Sequence, residues 1–146
     1  MFQGSHFISV DPKGRLTIPT RVREELAGLC GGRVVMTANS EDRCLLLYTE
    51  PDWQPIMKQI SALPDFDPRC KRIKRMKIGN SHPLELDGNG RLLVPPTLRD
   101  YAEVDKKVVL VGQTNKFEIW SEERWAEQMQ SEAEGELPPE VLKLSI

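Results

Sequence analysis

The sequence predicts an α+β protein built from two tandem copies of one β-rich unit. Residues 11–19 (DPKGRLTIP) and 87–95 (DGNGRLLVP) share Asp, Gly, Arg, Leu and Pro in register, 76 positions apart. Around each copy, short apolar runs alternate with turn residues and helical patterns in the same order. Because the phrase recurs only once, it indicates a duplication rather than a solenoid array.

The elements of the first unit follow from local patterns. Residues 11–14 carry turn chemistry, in which Gly14 supplies a positive φ. Pro19 opens a helix that glycines end, and Pro51 opens another, which Pro55 is expected to distort. The last strand is too apolar to lie on a surface. The predicted strands of this unit are residues 6–10, 15–18, 34–38 and 44–49.

The second unit repeats this order. Pro95 and Pro96 open its first helix, and Trp125 matches Trp53 of the helix that follows the last strand. The offset between the copies falls from 76 to 72, so two small deletions are expected in loops, where length changes are tolerated. The predicted strands are residues 84–86, 91–94, 108–111 and 117–120.

A basic helix is expected between the units, because Asp67 can cap it, Pro68 suits its first position and Gly79 lies past its end. Residues 54–80 carry 7 basic and 2 acidic side chains, whereas residues 121–146 carry 2 and 7. Four segments are therefore predicted. They are a first unit (1–53), a helical basic connector (54–80), a second unit (81–125) and an acidic C-terminal helix or tail (126–146).

The composition bounds the class of protein. The 146 residues are 39% apolar and 29% charged, which is typical of a soluble globular chain. Two units this small bury little apolar surface alone, so pairing or oligomerisation is expected. No apolar run approaches the ~20 residues of a membrane helix, and no secretion signal is visible. Three scattered cysteines favour reduced thiols in a cytoplasm.

Several phrases together resemble a known family. The segment DPKGRLTIPTRVREEL resembles the N-terminal unit of AbrB-like transition-state regulators and related antitoxins. Two such units joined by a basic helix are similar to the MraZ family, as are the opening Met-Phe-x-Gly, both Asp-x-x-x-Arg motifs and the phrase at residues 111–120 (VGQTNKFEIW). The match spans roughly residues 1–130.

This resemblance implies a fold and a function. It implies two swapped-hairpin AbrB-like β-barrel units with peripheral helices, related by a pseudo-two-fold axis, whose strands interlock within one polypeptide. It also implies a sequence-specific bacterial DNA-binding regulator, which we interpret as a repressor. Its target would be the promoter that heads the division and cell-wall gene cluster, and this cluster includes the regulator's own gene. Such proteins form ring-shaped homo-oligomers. Because a regulator of this kind acts on chromosomal DNA, a cytoplasmic, nucleoid-associated location is expected.

The candidate DNA-binding residues lie at the two repeated turns. Arg15 and Arg91 each follow the turn glycine, Gly14 or Gly90, and a guanidinium there can aim its fork at a phosphate or at guanine O6 and N7. Asp11 and Asp87 stand four residues earlier. Their charge disfavours DNA, so they are interpreted as groups that orient the arginine or cap the turn amides.

The two copies are unequal in charge. Lys13 has Asn89 as its counterpart and Arg21 has Thr97, so the first motif is expected to lead, and Arg23 matches Arg99. The net charge of −2 disfavours DNA binding by a single copy. A ring that repeats the arginines would gain avidity on short tandem sites in double-stranded DNA, with a steep loss of affinity in salt.

Simpler interpretations remain beside this one. Asp-x-x-Gly-Arg alone is a hairpin turn with an ion pair, and the run 69–77 is by default a solvated basic face, which can equally pair with the acidic tail. The three tryptophans and the cysteines are expected to pack in cores. A third interpretation is an antitoxin-like protein-interaction adaptor, which a mobility-shift assay on the protein's own promoter would separate from a DNA-binding regulator.

An enzyme is not expected. No nucleophile phrase or glycine-rich phosphate loop is present, and Asp11 and Asp87 each have an arginine that would make them weak bases. His6 and His82 lack partners at metal-ligand spacing. The sequence therefore predicts no catalytic residue, metal, cofactor, small-molecule substrate or membrane partner.

Overall fold

The computed structural model describes the whole chain, from Met1 to Ile146, and confirms the α+β prediction. Eight strands and six helices follow one another in two similar series. The strands are β1 (Ser5–Ser9), β2 (Arg15–Thr17), β3 (Arg33–Ala38), β4 (Leu45–Thr49), β5 (His82–Glu85), β6 (Arg91–Leu93), β7 (Lys107–Gly112) and β8 (Phe117–Ser121). The helices are α1 (Thr20–Cys30), α2 (Glu50–Ser61), α3 (Pro68–Lys77), α4 (Pro96–Ala102), α5 (Glu122–Gln130) and α6 (Pro139–Leu142).

The two copies interlock through their strands. A six-stranded sheet has the order β1-β7-β8-β4-β3-β5, and a separate ribbon pairs β2 with β6. All of these pairs are antiparallel. Exchanging each strand for its counterpart in the other copy reverses the six-strand order and leaves its neighbours unchanged. The sheet therefore has the pseudo-two-fold symmetry expected for interlocked units.

The strand registers locate the pseudo-two-fold axis. In the ribbon Leu16 pairs with Leu92, its own counterpart, and Arg15 with Leu93 mirrors Thr17 with Arg91. In the sheet β4 meets β8, the other contact between equivalent strands, with Leu46 opposite Glu118. The axis therefore passes through the centre of the ribbon and through the middle of the sheet.

The main core lies between the sheet, the ribbon and two helices. Alternate residues of the strands point to this side, as the pleat requires. Leu16 and Leu92 reach it from the ribbon, Leu26 from α1 and Leu98 from α4, and all four are almost wholly buried. Both copies contribute to this core of 22 buried residues, so the main core belongs to neither half alone. The segment boundaries at residues 53, 80 and 125 stay predictions.

Two smaller clusters cover the other side of the sheet. Trp53 of α2 packs there on Val35, Leu46 and Tyr48, and Trp125 of α5 packs on a second cluster, to which both copies contribute. The residues of that second cluster are Cys44, Val109, Val111 and Trp120. Since β4 is buried on both sides, its run of apolar residues is explained. The expectation that the tryptophans and Cys44 serve packing is confirmed.

One expected feature differs, because the β-barrel is not closed. Strands β1 and β5 each have one neighbour in the sheet and do not pair with each other. Closure would require these two edges to meet. Instead, the β2–β6 ribbon and the helices α1 and α4 cover the open side of the sheet through the shared core.

The helix boundaries follow local chemistry. Asp67 caps α3 by accepting a hydrogen bond from the Arg69 amide at 2.9 Å, and Gly31 ends α1 in the left-handed conformation at φ 63°. Pro55 lies inside α2, which continues to Ser61, so the expected distortion does not end the helix. No helix is both long and apolar enough to cross a membrane.

Candidate nucleic-acid interface

The first turn holds Arg15 through a network centred on Asp11. One carboxylate oxygen, Oδ1, accepts hydrogen bonds from the amides of Lys13 (3.0 Å) and Arg15 (2.8 Å). The other, Oδ2, accepts Nε of Arg15 at 2.6 Å. The Gly14 amide donates to the Asp11 carbonyl at 2.9 Å, with Gly14 at φ 88°. With Nε held by Asp11, the two terminal nitrogens of the guanidinium remain available to a ligand.

The second turn repeats this network closely. Asp87 accepts hydrogen bonds from the amides of Asn89 and Arg91, both at 2.9 Å, and from Nε of Arg91 at 3.1 Å. Gly90 has φ 72°, and its amide donates to the Asp87 carbonyl at 3.0 Å. The contacts of both aspartates are those of a group that caps the turn and orients the arginine.

These hydrogen bonds also set the charge of the two aspartates. The Arg15 amide, and then the Arg15 guanidinium, hold the pKa of Asp11 below its ordinary value of 3.8. The Arg91 amide and then the Asn89 amide do the same for the pKa of Asp87. Both carboxylates are therefore ionised at neutral pH, so the ion pairs with the arginines are present there.

The ribbon brings the two arginines to one side. Leu16 and Leu92 point into the core, so the residues before and after them point outward. Arg15 and Arg91 are diagonal neighbours on this outward side, at about 7–8 Å between backbones. Each arginine side chain is hydrogen-bonded to the aspartate of its own turn. The ribbon therefore presents one fixed arginine near each of its two ends.

A second arginine covers each turn, and it comes from the other copy. A methyl group added to Gly14 would meet the Arg99 guanidinium, with Nη1 at 2.8 Å, and one added to Gly90 would overlap Arg23. Arg23 also donates from Nη1 to the Asn89 carbonyl at 3.4 Å. The predicted site did not include Arg23 and Arg99. Their conservation between the two copies, at the offset of 76, was the signal that could have identified them.

The two other predicted cations lie in different surroundings. Lys13 is exposed at the tip of the first turn, and no ion pair involves its side chain. Arg21 lines a hollow of about 270 Å³ beside the N-terminal segment and Glu25. Positions two apart on a helix point in nearly opposite directions, so Arg21 faces away from Arg23 and the second turn. The structure thus brings Lys13, and not Arg21, to the repeated turns.

The basic helix α3 makes its side-chain hydrogen bonds and ion pairs with residues outside both turns. Thr37 of β3 donates from Oγ1 to the Lys77 carbonyl at 2.6 Å, so α3 ends against β3, and Met76 packs on the main core. The ion pairs of α3 join Lys74 to Asp65 and Arg69 to Asp67. None of the ion pairs joins α3 to residues 126–146, so pairing with the acidic tail is not observed.

Other possible sites have a different character. No group of three or more His, Cys, Asp or Glu side chains is placed to hold a metal ion. A hollow of about 670 Å³ beside α5 is lined mainly by charged residues, among them Glu103, Lys107 and Glu122, and by neither repeated turn. The arginine-bearing ribbon is therefore the strongest candidate for a functional site.

Comparison with known proteins gives a consistent result. The model of the MraZ protein family, which is described as antitoxin-like, matches residues 1–76 and again residues 78–140. A transcriptional regulator MraZ of Saccharophagus degradans is 54% identical over 147 residues, covering 100% of both chains. That of Marinobacter nauticus is 52% identical, covering 99% of this chain and 98% of its own, and that of Halorhodospira halophila is 46% identical over 152 residues, covering 100% of both.

Proposed function

Because the chain belongs to the MraZ family, we propose that it is a transcriptional regulator that binds double-stranded DNA through the outward side of the β2–β6 ribbon. The observation that carries this proposal is the pair of aspartate-held arginines. Arg15 and Arg91 are fixed by equivalent networks, lie on one side of the ribbon and keep terminal guanidinium nitrogens free.

The geometry suits recognition of DNA. A two-stranded ribbon fits the major groove, and a guanidinium fork can bind a phosphate or the O6 and N7 atoms of guanine. Because Asp11 and Asp87 fix the arginines before DNA arrives, little side-chain freedom is lost on binding. Lys13 adds an unpaired charge to the first turn, where Asn89 stands in the second. The first turn therefore makes the larger contribution.

A single chain is a weak DNA ligand, since its net charge is −2. We propose that several copies assemble into a homo-oligomeric ring that repeats the ribbon at fixed spacing. Such a ring binds short tandem sites in the chain's own promoter by avidity, and it represses the division and cell-wall gene cluster that this promoter heads. This places its action in the cytoplasm, at the nucleoid.

Arg15→Ala tests the proposal. DNA containing the upstream region is titrated in a mobility-shift assay at physiological salt, and footprinting identifies the protected repeats. Arg15→Ala is expected to lower affinity about tenfold or more, with Arg91→Ala less affected. Light scattering should show the wild-type oligomer in both variants. Wild-type affinity in Arg15→Ala would overturn the assignment, and equal losses would show that both turns dock together.

Lys58→Gln is the control for charge, because it removes one positive charge from α2 on the other side of the sheet. It should leave DNA affinity unchanged. If the wild-type oligomer gives no shift at low salt, the antitoxin-like adaptor is favoured. That alternative is supported by the family's description and by apolar side chains exposed in the acidic tail, such as Leu142 and Ile146.

A further inference from the structure

We propose that Arg99 is a third DNA-contacting cation at the first turn, and that Arg23, its counterpart, instead holds the second turn in position. The inference rests on the proposed DNA-binding function and extends it to residues of α1 and α4. It makes the leading binding site a composite of both copies, with Lys13 and Arg15 from the first copy and Arg99 from the second.

The interlocked strands bring Arg99 to the first turn. The Val94 amide donates to the Gly14 carbonyl at 2.9 Å, and α4 begins two residues later at Pro96. Arg99 thereby reaches the surface of Gly14, where an added methyl group would lie within 2.8 Å of Nη1 and displace the guanidinium. The equivalent bond, from the Ile18 amide to the Gly90 carbonyl at 3.0 Å, brings Arg23 to the second turn.

The two covering arginines differ in their partners. Arg23 donates from Nη2 to Thr20 Oγ1 at 2.8 Å and from Nη1 to the Asn89 carbonyl, and its Nε is buried without a partner. Arg99 makes no side-chain hydrogen bond and no ion pair, although it is only partly exposed. The guanidinium of Arg99 therefore retains its donors for a phosphate, whereas that of Arg23 is engaged with its own turn.

The charges around the turns differ in the same sense. Lys13, Arg15 and Arg99 surround the first turn, and Asp11 compensates one of these three positive charges. Arg91 and Arg23 stand at the second, and Asp87 compensates one of two. The first turn therefore has a net excess of two positive charges and the second turn an excess of one. The larger excess favours binding of a polyanion such as DNA at the first turn.

The simplest competing explanation is that Arg99 only covers Gly14. Glutamine separates the two roles, because its methylene groups still cover the glycine while its amide carries no charge. Lysine keeps the charge and loses the planar fork. A phosphate contact also has a signature that packing lacks, since each lost contact lowers the steepness of the salt dependence by about 0.9 in a plot of log affinity against log salt.

The experiment compares Arg99→Gln, Arg99→Lys, Arg23→Gln and the control Lys58→Gln on promoter DNA across a range of salt concentrations. Arg99→Gln is expected to lower affinity about tenfold and to reduce the salt slope by about one per binding chain. Arg99→Lys should restore the slope. Arg23→Gln should leave the slope unchanged and lower affinity less than Arg99→Gln, because its methylene groups still cover Gly90 and no phosphate contact is removed.

An unchanged slope in Arg99→Gln, with Arg15→Ala still defective, would overturn the role of Arg99 and leave the proposed function intact. An equal loss of slope in Arg23→Gln would overturn the asymmetry between the two arginines. Absence of any salt-dependent binding by the wild-type oligomer would instead contradict the DNA-binding function itself. Circular dichroism of each variant should match the wild type, and a variant that fails this test is replaced by the corresponding methionine substitution.

Discussion

Leu16 and Leu92 face each other at the centre of the β2–β6 ribbon, and both side chains are completely buried. They are counterparts in the two copies, so the pseudo-two-fold axis passes between them. Their burial fixes which side of the ribbon faces the core, and a shift of either strand by one residue would turn Arg15 or Arg91 inward. This pair therefore links the stability of the core to the presentation of the arginines.

Truncation of this pair should destabilise the fold. Leu92→Ala is expected to lower the free energy of unfolding by about 2–5 kcal/mol, because it removes buried methyl groups and leaves a cavity. Urea denaturation measures the loss. Leu93→Ala, in the same strand but 52% exposed on the opposite side, is the matched control and should change stability by about 0.5 kcal/mol or less. Equal effects would contradict the observed register.

Neutralising Asp11 should weaken DNA binding even though it removes a negative charge. In Asp11→Asn the amide oxygen can still accept the turn amides, but the ion pair to Arg15 Nε is lost. We expect affinity to fall several-fold in a mobility-shift assay. Glu140→Gln, which removes a charge from the acidic tail, is the control and should not weaken binding. Tighter binding by Asp11→Asn would show that its charge, rather than its orienting role, dominates.

The two turns should lose stability in acid. The folded-state pKa values of Asp11 and Asp87 are depressed, so their contribution is fully present above the ordinary pKa of 3.8 and is lost as pH falls through the lower folded values. Unfolding free energies of wild type and Asp87→Asn should therefore differ at pH 6, and the difference should shrink as the pH falls below 3.8. A difference that stays constant with pH would contradict this linkage.

The cysteines should differ in reactivity. Burial, and then the nearby Glu118 carboxylate, raise the pKa of Cys44 to about 12, and Cys30 is also buried, whereas Cys70 on α3 is partly exposed. Iodoacetamide at pH 8 should therefore modify Cys70 first in the folded protein. Mass spectrometry of the labelled peptides gives the order, and rapid labelling of a Cys70→Ser variant would contradict it.

Local patterns were sufficient to predict most elements of the fold. Prolines and glycines placed the helix starts and ends to within a few residues, and the repeat indicated which strands are equivalent. The repeat also led to the expectation of interlocked copies, which the pairing of β1 with β7 and of β3 with β5 confirms. These features are encoded locally or by comparison of the copies, so a single sequence contains them.

Contacts through space were harder to predict. Whether β1 and β5 meet depends on how the sheet is covered, and periodicity carries no information about closure. Arg23 and Arg99 lie over turns of the opposite copy, 67 and 85 positions from Gly90 and Gly14 in the sequence. Arg21 was assigned to the first turn because of its charge, but α1 directs its side chain to the hollow beside the N-terminal segment. The roles of these arginines in binding stay predictions.

The palindromic strand order has a consequence for how such a protein can evolve. If the two halves were separate identical subunits, every mutation would appear twice, and both turns would remain alike. Within one polypeptide the halves can diverge one at a time, while the shared core keeps them in register. Two pairs of equivalent positions differ in this way. Lys13 of the first copy corresponds to Asn89 of the second, and Thr20, which accepts a hydrogen bond from Arg23, corresponds to Pro96. A single polypeptide therefore allows one turn to change its charge while the shared core keeps both turns in the same geometry.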